Sequence, residues 1–97
     1  MLKKNAQSLS EALSDFFEEN SSLKEKLAEQ RAVRGWREVL GEGVSTYTRN
    51  VYFSRSILYV HLSSAVLRAE LVMNKEELIK KLNDYAESPI VRDIVFR

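Results

Sequence analysis

Arginine is the residue whose type and spacing in this sequence best suit the binding of a charged partner. Residues 31 to 68 include arginines but no lysine, and the acidic residues in this segment are Glu38 and Glu42. A planar guanidinium offers a fork of donors that suits phosphate and carboxylate oxygens. The segment therefore indicates an anionic partner, although a solvated face paired with Glu38 and Glu42 explains the charge pattern equally well.

The arginines are spaced so that several can face one partner. Arg31, Arg34 and Arg37 recur at every third position of a predicted helix and turn toward the side opposite its apolar residues. Arg49 and Arg55 fall on a predicted hairpin that would extend the track if the fold brings them together. We therefore predict these five arginines as phosphate contacts.

A tyrosine pair is the second candidate for binding. Tyr52 and Tyr59 oppose each other on the predicted hairpin, with Asn50 and His61 behind them. Flat aromatic side chains of this kind can stack on unpaired nucleobases, so Tyr52 and Tyr59 join the predicted nucleic-acid-binding residues. The alternative is a cross-strand aromatic pair that only stabilises the sheet, or one that is covered by a helix or a second subunit.

Residues that could form a catalytic or metal site are scarce. His61 is the only histidine and cysteine is absent, so the sequence offers no Ser–His or Cys–His nucleophile pair. The carboxylates occupy capping and i, i+4 positions of predicted helices, and Gly41-x-Gly43 lacks the third glycine of a dinucleotide-binding loop. We expect a binding protein and not an enzyme, with no metal, cofactor or small-molecule substrate.

Length and composition are those of a small folded protein. The 97 residues are 44% apolar and 30% charged, which predicts a single domain over residues 1–97 with a flexible segment at residues 1–7. The absence of cysteine favours a reducing compartment, and we predict the cytoplasm. No apolar run approaches the roughly 20 residues of a membrane span, so no membrane association is expected.

Three capping motifs predict where helices begin. Ser8-x-x-Glu11, Ser22-x-x-Glu25 and Asn74-x-x-Glu77 each place a capping side chain three residues before a glutamate. The second of these helices carries Leu23, Leu27, Val33, Trp36 and Leu40 on one side, so it should bury Trp36. It either ends at Gly41 or continues toward Tyr47, with the glycines allowing a close backbone approach.

Residues 49–62 alternate with a period of two and predict a β-hairpin with a two-residue turn at Arg55 and Ser56. This register opposes Val51 with Val60, Tyr52 with Tyr59 and Phe53 with Leu58, and sorts the apolar residues onto one face. Because the turn lacks glycine, a three-residue loop is the alternative.

The last third of the sequence predicts two helices and a final strand. Ser63 or Ser64 caps the first helix, Asn74 begins the second, and Pro89 separates them from a strand over Ile90 to Arg97. Ile94 and Phe96 should face inward. The predicted order is α-α-β-β-α-α-β, an α+β fold with a three-stranded sheet and helices on one face.

Short motifs follow one another in a fixed order along the sequence. They are Trp36-x-x-Val39-Leu40-Gly41, Tyr47-Thr48, Ile57-Leu58-Tyr59-Val60 with Ser63-Ser64, Leu78-Ile79-x-x-Leu82-Asn83, and Val91 to Arg97. This ordered set resembles the DciA family, formerly a domain of unknown function, and the resemblance runs from about Leu9 to Arg97.

The resemblance implies a KH-like fold of the type II order β-β-α-α-β, here preceded by one or two helices. It also implies a bacterial adaptor of DNA replication that partners the DnaB-type replicative helicase and single-stranded or forked DNA. Where RNA-binding KH domains carry Gly-x-x-Gly, this sequence has Met73-Asn74-Lys75-Glu76, so the usual KH grip on a nucleic-acid backbone is not expected. The alternative function is a protein-protein interaction module without nucleic-acid binding.

Overall fold

The structure, a computed structural model, describes residues 8–97. The flexibility predicted for residues 1–7 lies outside the described residues. The elements are α1 (Leu9–Glu19), α2 (Ser21–Thr46), β1 (Thr48–Ser54), β2 (Ile57–Leu62), α3 (Ala65–Met73), α4 (Lys75–Ala86) and β3 (Asp93–Phe96). Within that range no helix combines the length and apolar character needed to cross a membrane.

The fold is α+β, with four described helices and a three-stranded sheet in the predicted element order. The strands lie in the order β1-β2-β3, with β1 antiparallel and β3 parallel to the central β2. Strand β3 is shorter than predicted and begins at Asp93, because the chain before it is tied to α4. The side-chain amide of Asn83 donates to the carbonyl of Val91 at 3.0 Å and accepts from its amide at 2.9 Å.

The hairpin has the predicted register. Val51 pairs with Val60, Tyr52 with Tyr59 and Phe53 with Leu58, and the turn is two residues long. Arg55 and Ser56 have φ angles of 51° and 68°, so both adopt the left-handed conformation that a type I′ turn requires at its two central positions. The right-handed twist of the paired strands selects this turn even without glycine.

Helices α2, α3 and α4 pack against one face of the sheet around Trp36. Its side chain is fully buried, lies 6.0 Å from the ring of Phe96, and donates from Nε1 to the Thr48 hydroxyl at 3.1 Å. The inward prediction for Ile94 is confirmed, and Phe96 is partly buried against the core. The buried cluster consists of Ala32, Trp36, Leu58, Val60, Leu62, Leu71, Leu78, Leu82, Val91 and Ile94.

Small residues, and not the large aliphatic ones of the predicted stripe, bring α2 close to α4. Ala28, Ala32 and Gly35 are buried with Trp36, whereas Leu23 is exposed and Leu27, Val33 and Leu40 are half-buried. A Cβ atom added to Gly35 would lie 2.8 Å from Cδ1 of Tyr85. Glycine at this position therefore sets how closely the two helices approach.

Helix α2 both breaks at Gly41 and continues to Thr46. Gly41 has φ 81° and ψ −178°, a conformation that is essentially restricted to glycine, and helical turns resume after it. A Cβ atom added to Gly41 or to Gly43 would meet no neighbouring element within 4 Å, so the predicted close backbone approach does not occur. Beyond the kink, the carbonyl of Val44 accepts a hydrogen bond from the Thr48 hydroxyl, which ties the last helical turn to the start of β1.

One of the three predicted capping boxes forms. The Ser8 hydroxyl accepts from the Glu11 amide at 3.1 Å and Glu11 Oε1 accepts from the Ser8 amide at 3.0 Å. The boxes at Ser22 and Asn74 are wrong. Asn20 and Asn74 each lie alone between two helices, and each side-chain amide donates to the carbonyl four residues earlier, at Phe16 and Glu70.

Candidate nucleic-acid interface

The two tyrosines form a stacked pair on the face of the sheet that carries no helix. Their ring centroids are 4.7 Å apart and the ring planes differ by 9°. The pair forms because Tyr52 and Tyr59 are direct partners in the ladder, and neighbouring strands are separated by about 4.8 Å. Tyr52 is 44% exposed, so the platform that the alternation predicted is accessible at the β1 side.

A third residue extends this stack, and sequence reasoning missed it. The guanidinium carbon of Arg97 lies 5.1 Å from the ring centroid of Tyr59. Tyr59 pairs with Val95 across the parallel β2–β3 ladder, so Arg97 projects from the same face one repeat further along. The sequence indicated that Val95 and Arg97 share one face of the strand, but it did not indicate that Tyr59 lies beside them.

All five predicted arginines are exposed, and among residues 8–97 none of them forms an ion pair. Pairing with Glu38 and Glu42, which the sequence left as an alternative, is therefore not observed. Unpaired guanidinium groups keep their full donor capacity for an anionic partner. The set consists of Arg31, Arg34, Arg37, Arg49 and Arg55.

The structure divides this set instead of gathering it into one track. Arg34 lines a groove between α2 and β1 together with Tyr52, whereas Arg31 lines a second groove beside the end of α4. Arg37 lines neither groove. Arg49 and Arg55 lie at opposite ends of β1, about 20 Å apart at the rise of an extended strand.

Away from the arginines and tyrosines, an ion pair links two elements of the fold. Lys75 Nζ lies 3.0 Å from Asp93 Oδ1 and joins the first residue of α4 to the first residue of β3. The hydrogen bond from Lys75 and the backbone amide of Ile94 lower the pKa of Asp93 below its ordinary value. Within residues 8–97 no group of three histidine, aspartate or glutamate side chains is arranged to hold a metal ion.

A family-level sequence comparison matches residues 8–96 to the family described as "Dna[CI] antecedent, DciA". This chain belongs to the DciA family. The match covers nearly all of the described residues and confirms the resemblance that the short motifs indicated. The DciA name associates the family with loading of the DnaB helicase in replication. The DciA family is not known as an enzyme family. No curated protein and no solved structure matches the chain.

The motifs that resemble DciA are mostly residues that hold the fold together. Trp36 is the centre of the core, Thr48 accepts its hydrogen bond, and Ser64 caps α3 by accepting from the Leu67 amide at 3.1 Å. Asn83 fixes the loop before β3. The motifs shared with the DciA family therefore consist mainly of residues that stabilise the fold. Most of the exposed arginines lie outside these motifs.

Proposed function

We propose that this chain is a nucleic-acid-associated adaptor of DNA replication that acts in the cytoplasm. Its partners are the DnaB-type replicative helicase and single-stranded or forked DNA. The observation that carries the proposal is the exposed, unpaired arginine set within a DciA-family chain. Arginine without a carboxylate partner suits phosphate contacts, which supply most of the sequence-independent affinity for DNA.

The order of the sheet elements supports a type II KH-like core for this adaptor. Strands β1 and β2, helices α3 and α4, and strand β3 follow one another as β-β-α-α-β, after the two N-terminal helices. The junction of α3 and α4 is the single residue Asn74, flanked by Met73 and Lys75 without glycine. We therefore assign the DNA contacts to the arginine and tyrosine residues and not to this junction.

Charge reversal at Arg34 and Arg37 is the direct test of the arginine assignment. The double variant Arg34→Glu, Arg37→Glu should abolish retention of single-stranded DNA in a gel-shift experiment at low salt. Lys80→Glu with Lys81→Glu is the matched control, because it changes the net charge equally at two exposed positions of α4. Equal loss in both variants, or unchanged binding in the first, would remove the site assignment.

The salt dependence of binding separates phosphate contacts from other modes. Fluorescence anisotropy with a labelled single strand at about 50 and about 200 mM salt should show steep weakening, by roughly 0.7 log unit per log of salt for each phosphate neutralised. Adding the DnaB-type helicase of the host should strengthen retention of the strand. Absence of DNA binding both with and without helicase would leave a protein-only adaptor as the better account.

A protein-protein module is the second candidate, and an exposed apolar surface supports it. Every described side chain of α1 is exposed, including Leu9 and Leu13, and an apolar groove runs between α1 and α2 past Leu23 and Leu27. Apolar docking responds little to salt. Leu13→Asp should therefore weaken helicase binding while DNA binding stays intact, if this surface is the one that meets a protein.

A further inference from the structure

We infer that the groove between α2 and β1 holds one unstacked base of a single-stranded nucleic acid against the outer face of Tyr52, with Arg34 on the neighbouring phosphate. The inference rests on the proposed function, since it assigns a ligand geometry within the same surface. One nucleotide then has a defined position, and the two tyrosines have different roles.

The tyrosine stack leaves the outer face of Tyr52 open, and Tyr52 lines the groove. The rings are nearly parallel, and their centroid separation of 4.7 Å matches the spacing of adjacent strands. The ring normals therefore run roughly along the direction from strand to strand. Since β1 is an edge strand, no further strand covers the outer face of Tyr52, and Tyr52 is one of the residues that line the groove.

Tyr59 is closed on both faces. It lies on the central strand, with the ring of Tyr52 on the β1 side and the guanidinium of Arg97 on the β3 side. A base cannot stack on Tyr59 without displacing one of these neighbours. Tyr59 and Arg97 are thus positioning residues that hold the Tyr52 ring, and Tyr52 is the side chain that contacts the base.

The walls of the groove suit a nucleobase. The groove is open to solvent and has a volume of about 480 Å³. Val33, Val51 and Phe53 supply apolar contact, and the amide of Gln30 can donate to and accept from a base edge.

Charge within the groove sets where the phosphate lies. Glu29 and Arg34 both line it and are separated by about 7.5 Å along the helix axis. The carboxylate of Glu29 repels a phosphate, so the nucleic-acid backbone passes the Arg34 end. A duplex has its bases stacked on both sides, which leaves no free base to enter, so the site favours single strands.

The test compares the affinities of a labelled single-stranded oligonucleotide and a blunt duplex of equal length for the intact chain and its variants. Tyr52→Leu should weaken single-strand binding by roughly 5- to 150-fold, the range of one lost base stack, with little change for the duplex and in the salt slope. Tyr52→Phe restores the ring and should restore the affinity. Tyr47→Leu removes an exposed tyrosine outside the groove and should leave both affinities unchanged.

Arg34→Gln provides the contrasting pattern. It removes a phosphate contact, so it should lower the affinity for both ligands and reduce the salt slope for the single strand by about 0.7. Thermal melts of each variant establish that the fold is retained. Photo-crosslinking of a 5-iodouracil oligonucleotide, followed by peptide mass spectrometry, should place the adduct on Tyr52.

Each outcome decides the inference. Single-strand affinity that is unchanged in Tyr52→Leu, while Arg34→Gln weakens binding, overturns the base site and leaves the proposed DNA-binding function standing. An equal loss for single strand and duplex in Tyr52→Leu also overturns it. If the unmodified chain binds no nucleic acid, the DNA-binding function fails, and the base site fails with it.

Discussion

Two regions of the molecule differ in how far their apolar side chains are buried. The helical arm comprises α1 and residues 21–27 of α2, and the sheet body comprises the remaining elements. In the arm Leu9, Leu13 and Leu23 are 76%, 46% and 44% exposed. In the body Trp36 and Leu58 are fully buried. These three leucines of the arm therefore lie outside the core and remain available to a partner.

The two regions also differ in charge. The arm carries acidic side chains, among them Glu11, Glu18 and Glu19, whereas most of the exposed charged residues from Arg31 to Arg55 are arginines. An anionic ligand is attracted to the second region and repelled by the first. One small chain thus presents two surfaces of different chemistry, which is consistent with the adaptor function that we propose. The following changes test this contrast in order of expected effect.

Trp36→Ala should cause the largest loss of stability, about 3 to 5 kcal/mol, because it leaves a large cavity in the body. Leu13→Ala in the arm should cost about 1 kcal/mol or less, since the side chain is 46% exposed. Chemical denaturation of both variants measures the difference. Equal destabilisation would mean that the arm belongs to the same cooperative core.

Thr48→Val should cost about 1 to 3 kcal/mol, because the isosteric side chain leaves the buried indole N–H of Trp36 without its acceptor. The Thr48 hydroxyl also donates to the Val44 carbonyl at 2.8 Å, so two hydrogen bonds are lost. Thr46→Val is the control, since the Thr46 hydroxyl donates to the Glu42 carbonyl at an exposed position. Thermal or chemical denaturation that ranks the two threonines equally would contradict a special role for the buried pair.

Gly41→Ala and Gly43→Ala should have effects of opposite sign. Alanine at Gly41 must adopt a φ of 81°, which costs about 1 to 3 kcal/mol. Gly43 is helical and has open space around it, so alanine there should stabilise the body by about 0.4 to 1 kcal/mol. Stabilisation by both substitutions, measured by denaturant unfolding, would show that the kink is not required.

The ion pair between Lys75 and Asp93 should have the smallest effect, a few tenths of a kcal/mol after solvent screening. Because the folded-state pKa of Asp93 is lowered, its contribution is present above the unfolded-state pKa of about 3.9 and is lost as pH falls through the folded-state value. Lys75→Met should flatten this acid limb of the stability profile. Lys80→Met should leave it unchanged, and an equal flattening by both would rule out the specific pair.

Local pattern allowed much of the fold to be predicted. The hairpin register followed from alternation, because a slip of one residue would turn Val51 and Phe53 to the open face. Burial of Trp36 followed from helical periodicity, and the Ser8 cap followed from a local motif. The candidate site was harder to predict. The sequence placed Arg34 and Tyr52 correctly on their elements, but it did not show that they line one groove.

The sequence by itself determined the α+β element order, the strand register and the exposure of the arginines, because these depend on periodicities of two and 3.6 residues. Tertiary structure alone decided that Arg31 and Arg34 line different grooves and that Arg97 lies over Tyr59. Those arrangements depend on which elements become neighbours. That choice is made by burying Trp36 and its partners in one core, across residues far apart in the chain.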